Sequence, residues 1–355
     1  MTSPSVHPPT EVGLIGFGVG GATFHAPFIA STPGLRLSAV MTNDPARRRA
    51  VAQEYPDTRI VGTIDALLAL TPQLDLIAIS SPNASHFPLA VAVLDAGKHV
   101  VVDKPFSATS AQARELGALA ARVGKLAMPF HNRRWDGDFL TVQQLIREHT
   151  LGDIFRFESR FDRWRATPKP GWCTPDASAR AESIVHDIAT HLVDQALVLF
   201  GPVLRVHAEL TRRHPAIVTF DDAFIALTHA SGVRSHLYMS AMAGQSGPRM
   251  SVFGSRAAYM KHGLDVQEEA LRAGMRPDDA GYGQESPDRR GTLGGPGVNE
   301  HVPTVPGAYP EFYKGVARAI REGASPPVSV ADAIAGLDIV EAAFLSNERN
   351  EVVSL

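Results

Sequence analysis

Three side chains in this sequence are of types, and at spacings, that move protons: Lys104, Asp187 and His191. Lys104 stands in Asp103-Lys104-Pro105, directly after the apolar run Val100-Val101-Val102, so a strand end and a proline hold its backbone. An ammonium fixed there can hydrogen-bond an oxygen that alternates between alcohol and carbonyl. Asp187 and His191 lie four residues apart in a helical segment, on one face, where a carboxylate can orient an imidazole. Ile184, Val185, Ile188, Leu192, Val193 and Ala196 form the opposite, core-facing stripe, and Asp194 joins the polar side. Spacing alone leaves two readings open, a proton-handling pair and a solvated helix face. His186 and His191 are five apart and diverge, so no metal site is expected.

A second constellation is Gly16-Phe17-Gly18-Val19-Gly20-Gly21, which follows the apolar run Val12–Ile15 and opens a helix. At that junction Gly16 permits a tight turn, Gly18 lets backbone approach a pyrophosphate, and Gly21 lets helix pack on strand. Amide groups of the loop, including those of Phe17 and Val19, then face phosphate oxygens. The next strand ends Val40-Met41-Thr42-Asn43, without the acid that accepts from the ribose hydroxyls of NAD. Asp44 precedes Pro45 and reads as a helix cap. Neutral Thr42 and Asn43 with the Arg47 guanidinium suit a 2′-phosphate, so NADP(H) is expected over NAD(H). Arg48 and Arg49 read equally well as a solvated helix face.

These groups need elements to position them. Apolar runs at Glu11–Ile15, Leu35–Thr42, Arg59–Val61, Leu74–Ser80, His99–Val102 and Leu126–Pro129 alternate with helical segments over residues 11–130. Continuous Val/Ile/Leu strands separated by helices predict a parallel sheet covered on both faces, a Rossmann domain over residues 1–130. After His131 the pattern changes. Phe155, Phe157 and Phe161 alternate with Arg156, Glu158, Arg160 and Asp162, and Val233, Leu237 and Met239 alternate with Arg234, His236 and Tyr238. Period-two segments belong to an open, largely antiparallel sheet, which predicts an α+β domain over residues 131–355. A long helix is expected over Glu182–Phe200, a loop over residues 275–300, and two further helices over Tyr309–Glu322 and Val330–Ser346.

At 355 residues two domains are the default. A formal charge of −3, with no basic block, argues against a nucleic-acid partner. The single cysteine, Cys173, excludes an intrachain disulfide framework and fits a reducing compartment. No segment reads as a signal peptide or membrane span, so a cytoplasmic protein is expected.

Strand–GFGVGG–helix, SSPNASH at 80–86, VVDKP at 101–105 and HDIATH at 186–191 together resemble the Gfo/Idh/MocA oxidoreductase family. The resemblance runs over essentially the whole chain. HNRRWDGDFLT at 131–141 and RFDRWR at 160–165 resemble the branch that contains NADP-dependent scyllo-inositol dehydrogenases. By this likeness the catalytic lysine falls on Lys104, and the aspartate and histidine of the D-x-G-x-H motif fall on Asp187 and His191. Ser81, Pro82, Asn83 and His86 match the loop beside the nicotinamide ribose, and Asp103 the acid before the lysine. The resemblance implies hydride transfer between a nicotinamide and a secondary carbinol of a cyclic polyol or sugar. Arg133, Arg134, Trp135, Asp162, Arg163 and Trp164 are then candidates for the substrate wall, since polyols need donors, acceptors and an apolar ring platform. A homodimer or homotetramer through the C-terminal sheet is expected.

The sequence departs from the family pattern at Ala181-Glu182-Ser183, where glycines are common, at His186, where tyrosine is usual, and at Ala189, the motif's central glycine. Such changes would alter the substrate first and turnover second. The alternatives are a dehydrogenase of a different sugar and a cofactor-binding sensor without turnover.

Overall fold

The computed structural model describes residues 8–70, 73–168, 173 and 183–355. Its first sheet is built from β1 (Thr10–Ile15), β2 (Leu35–Met41), β3 (Arg59–Val61), β4 (Leu76–Ile79), β5 (His99–Val102) and β6 (Ala127–Pro129). All are parallel, in the order β3-β2-β1-β4-β5-β6. The connections carry α1 (Ala26–Ser31), α2 (Pro45–Glu54), α3 (Ile64–Leu68), α4 (His86–Asp95) and α5 (Ser110–Arg122). Both faces of the sheet are covered, which is why its strands read as unbroken apolar runs. Helix α2 starts where the sequence places it, because the Asp44 carboxylate accepts from the amides of Ala46 and Arg47 ahead of Pro45. Between β1 and β4 the strand order reverses, and a crevice opens at their carboxyl ends.

After α6 (Gly137–Arg147) the chain forms β7 (Ile154–Asp162), a π-helical turn at Val185–Ala189, α7 (Thr190–Phe200), β8 (Val203–Thr211), β9 (Asp222–His229), β10 (Arg234–Ser240), β11 (Met250–Gly254) and β12 (Ala258–Lys261). It continues through α8 (Gln267–Arg272), β13 (Gly291–Gly295), β14 (Val298–Val302), α9 (Pro310–Glu322), α10 (Val330–Arg349) and β15 (Val353–Ser354). The nine strands form one mixed sheet in the order β14-β13-β12-β11-β7-β10-β9-β8-β15, antiparallel except for the β7–β10 pair. Phe157, Phe161, Ile225, Leu237 and Met239 face inward and bury against α6 and α7, whereas Arg160 and Asp162 face the open side. The fold is therefore α/β, a Rossmann layer joined to an open and largely antiparallel sheet, as the two periodicities predict.

Helices α9 and α10 return to the first sheet. Phe312, Tyr313 and Val316 of α9 pack with Val12, Leu14, Val40 and Phe130, and Ala333 and Leu337 of α10 pack with residues of α5. The segment expected as a loop over 275–300 includes β13 and the start of β14, an edge hairpin. Gly291-Thr292-Leu293-Gly294-Gly295 carries no hydrophobic alternation, so the strand signal is missing there. Ala181 and Glu182, where the long helix is expected to begin, lie outside the described residues. No helix among the described residues is long and apolar enough to cross a membrane.

Candidate active site

The glycine loop folds back on β4. Gly16 has φ +93°, and a Cβ there would stand 2.2 Å from the carbonyl oxygen of Ser80. A Cβ on Gly21 would stand 2.1 Å from the oxygen of Gly16, so this glycine lets the helix start close under the loop. Gly20, which sequence reasoning passed over, is also close-packed, because its Cβ would meet the side-chain atoms Ser80 Oγ at 2.4 Å and Asp103 Oδ2 at 3.1 Å. Above the loop is a cavity of about 530 Å³ lined by Gly16, Gly18, Val19, Thr42, Asn43, Arg47, Ser81, Pro82 and Asp103. The Arg47 guanidinium lies 3.8–3.9 Å from where a Gly18 Cβ would be, and Arg48 donates to the carbonyl of Thr42 at 3.1 Å. The bare backbone at Gly16, Gly18 and Gly20 is the cradle a dinucleotide pyrophosphate requires, so these residues fit that group.

Two expected cofactor residues turn out to brace the crevice. The Phe17 side chain is buried against Tyr55, ring centroids 6.3 Å apart, so only its backbone faces the loop. His86 is buried with its ring nitrogens 2.8 Å from the carbonyl oxygen of Pro105 and 2.9 Å from that of Ser81, tying the two crevice walls together. Asn83 opens a 3₁₀ turn, Asn83–Ser85, beside it.

Lys104 follows β5, and its Nζ donates to Asp187 Oδ1 at 2.6 Å and to the Asp187 carbonyl at 2.7 Å. The π-helical turn Val185–Ala189 carries Asp187 to this contact, whereas the regular α-helix assumed from sequence would have aimed its carboxylate at His191. His191 is buried rather than solvated, at 5% exposure, and so is Asp194, at 3%, which removes the reading of a solvent-washed face. Burial, with the charges of Lys104 and Arg133, pushes the His191 imidazole well below its usual pKa, and the opposing charge of Asp187 does not restore it. His191 is consequently a neutral base at physiological pH. His131 stands edge-on to it, ring centroids 6.2 Å apart, and among the described residues neither Nδ1 has a hydrogen-bond partner.

Of the six residues expected on the substrate wall, the structure brings two to the trio. Arg133 and Arg163 lie over the Phe161 ring at 4.9 and 4.6 Å from its centroid, and Arg133 pairs with Glu268 at 3.1 Å. Arg134 is committed elsewhere, gripping Asp194 through Nε and Nη2 at 2.8 and 2.6 Å and reaching Asp332 at 3.4 Å. Trp135 packs edge-on against Phe312. Asp162 faces the open side of the sheet, in a depression with Arg160, Thr211 and Tyr238, and Trp164 is 61% exposed. Both lose their place because β7 alternates: Phe161 and Arg163 turn inward, and their neighbours turn out.

Two of the family departures, at His186 and Ala189, are absorbed in packing away from this site. His186 stacks on Phe344 of α10, centroids 5.2 Å apart, and Ala189 is fully buried in the hydrophobic core under the second sheet. Sequence reasoning missed His131, Ser80 and Gly20. Ser80 and Gly20 had a usable signal, each adjoining a residue already singled out. Among the described residues no group of His, Cys, Asp or Glu side chains is arranged to hold a metal ion.

Two family models match this architecture: the NAD-binding Rossmann-fold oxidoreductase domain over residues 10–131 and the GFO/IDH/MocA C-terminal domain over residues 139–260. The chain is 39% identical to the uncharacterized oxidoreductase YdgJ of Escherichia coli, over 97% of this chain and 98% of that one. It is 32% identical to the scyllo-inositol 2-dehydrogenase (NADP(+)) IolW of Bacillus subtilis, over 97% and 96%. A crystal structure of an oxidoreductase from Bacillus cereus superposes with a TM-score of 0.87 at 28% identity, over 98% of each chain. With a glycine cradle at the sheet's reversal point and a lysine–aspartate pair at the end of β5, the chain belongs to the Gfo/Idh/MocA family and is an oxidoreductase with an NAD-binding Rossmann domain.

Proposed function

We propose that this oxidoreductase uses NADP(H) and interconverts a secondary alcohol and a ketone on a cyclic polyol or sugar of the inositol type. The observation that carries this reading is the convergence, at the carboxyl end of β5, of an ammonium held by Asp187 with a buried neutral imidazole. When bound, the nicotinamide supplies or accepts the hydride. Lys104 hydrogen-bonds the substrate oxygen, steadied by Asp187. In the oxidative direction His191 takes the hydroxyl proton, and in reduction it returns it. Arg163, half-buried over Phe161, offers guanidinium donors to the hydroxyls of a polyol, and Arg133, over the same ring, is held by Asp136 and Glu268. IolW, by its name an NADP(+) enzyme acting on scyllo-inositol, lends the substrate class weight. Phe224, Tyr238 and Met260 on the open sheet face support a homodimer or homotetramer through that face.

The test is oxidation of NADPH and of NADH with a panel of inososes and sugar ketones. NADPH-linked turnover is expected, and Arg47→Ala should raise the NADPH KM by about tenfold while leaving that for NADH nearly unchanged. Equal loss with both cofactors would take Arg47 out of the 2′-phosphate site.

The state of His191 sets a pH signature. Its folded pKa lies well below 6.5, so the base form persists as pH falls through 6.5 and is lost only at lower pH. The acid limb of kcat/KM for alcohol oxidation is expected below pH 6.5, and His191→Asn should remove it. A limb at or above the ordinary histidine value would contradict the assignment.

A further inference from the structure

A buried chain of polar groups runs behind the crevice and ends on Asp103, beside the glycine loop. Tyr313 of α9 and His25, the last residue of the π-helical turn Gly21–His25, are both fully buried, with Oη and Nδ1 2.7 Å apart. The other ring nitrogen, Nε2, points at Asp103 Oδ2 from 3.5 Å and has no hydrogen-bond partner among the described residues. The ring itself is clamped against Phe130, centroids 4.2 Å apart. Asp103 is the joint of the site: Oδ1 accepts the backbone N–H of Lys104 at 2.8 Å, and Oδ2 accepts Ser80 Oγ at 3.1 Å.

The protons on this chain can be assigned. A histidine Nδ1–H donating to Tyr313 would leave a bare Nε2 lone pair facing a carboxylate, and would leave the buried phenol proton without an acceptor. The opposite tautomer satisfies the phenol and Nδ1, since Tyr313 O–H donates to Nδ1, and it turns Nε2–H toward the Asp103 carboxylate. Burial and the Asp103 charge raise the Tyr313 pKa well above 10, which keeps it a donor. Burial works against ionisation of Asp103, but the contact with His25 and the nearby charge of Lys104 hold its pKa below the usual carboxylate range.

We propose that Tyr313 and His25 are positioning residues of the reaction: Tyr313 fixes His25 as the Nε2–H tautomer, which holds the Asp103 carboxylate on Ser80 and on the backbone of Lys104. The proposal rests on the reading of Lys104 as the group at the substrate oxygen. A carboxylate released from His25 can turn, and displacing a catalytic ammonium by a fraction of an ångström is costly to turnover.

The experiment has two arms. In ¹⁵N-histidine-labelled protein, with the His25 signals identified by their loss in His25→Gln, the proton is expected on Nε2 in the wild type. In Tyr313→Phe that preference should weaken. This arm needs no turnover, so it is decided even if no ketone is reduced and the functional reading fails. In the kinetic arm Tyr313→Phe and His25→Leu should lower kcat about tenfold with the NADPH KM within about threefold. His25→Gln, which keeps an N–H near the Nε2 position, should recover most of kcat. Tyr313→Phe added to His25→Gln should then cost little more. A proton on Nδ1 in the wild type, unchanged kcat in Tyr313→Phe, or a His25→Gln variant as impaired as His25→Leu would each overturn the proposal.

Discussion

Replacing Lys104 by methionine is expected to lower kcat by about 10³-fold while the NADPH Kd stays within about threefold of wild type. Methionine keeps an unbranched chain in the same slot and removes the charge and all three donors. The loss has two sources. The substrate oxygen loses the ammonium that stabilises negative charge as it develops, a contribution that is large in a site shielded from water. Asp187, which holds Nζ at 2.6 Å, loses the partner that keeps it turned toward β5. Cofactor affinity is spared because the pyrophosphate cradle is built from Gly16, Gly18 and Gly20, on a different loop. Stopped-flow oxidation of bound NADPH separates the outcomes: a slow chemical step with full binding amplitude is expected. Unchanged turnover would remove Lys104 from the reaction, and a protein whose ligand response never depended on Lys104 would be read as a sensor.

The second large effect is structural. Gly16→Ala is expected to destabilise the protein by about 3 kcal/mol or more and to weaken NADPH binding by at least about tenfold. At φ +93° any side chain is strained, and here the new methyl would sit 2.2 Å from the Ser80 carbonyl oxygen. Neither can relax alone. Moving the Ser80 carbonyl disturbs the end of β4, and moving Gly16 opens the turn that aims the loop amides. Chemical denaturation and fluorescence titration with NADPH read the two effects. Wild-type affinity in the Gly16→Ala variant would show that the crevice between β1 and β4 is not where the dinucleotide lies.

What was legible beforehand follows from the range of the interactions concerned. The glycine loop, the Asp44 cap and the placement of Lys104 are decided within a few residues, and each appears where the local signals put it. The alternation of β7 gave the second sheet, yet the same alternation also distinguishes Phe161 and Arg163 from Asp162 and Trp164, a distinction the motif RFDRWR obscures. Arg134 and Trp135 were misplaced because their partners, Asp194, Asp332 and Phe312, are 60 or more residues away, and no pattern near residue 134 announces them. The Lys104–Asp187 contact depends on a π-helical turn, for which helix periodicity gives no warning. The edge hairpin of β13 and β14 was invisible for a simpler reason, since glycine carries no hydrophobic signal.

The return of α9 and α10 to the first sheet bears on the order in which the molecule is made. A domain at the front of a chain ordinarily finishes folding while the ribosome is still making the rest. Here His25 waits for Tyr313, 288 residues later, and Phe130 waits for Phe312. Until α9 has emerged, the nucleotide-binding half carries its glycine loop over a floor that is open to water. The nascent chain therefore has its glycine loop spelled out long before the floor beneath it exists, and a helix made 288 residues after His25 completes a sheet begun far earlier.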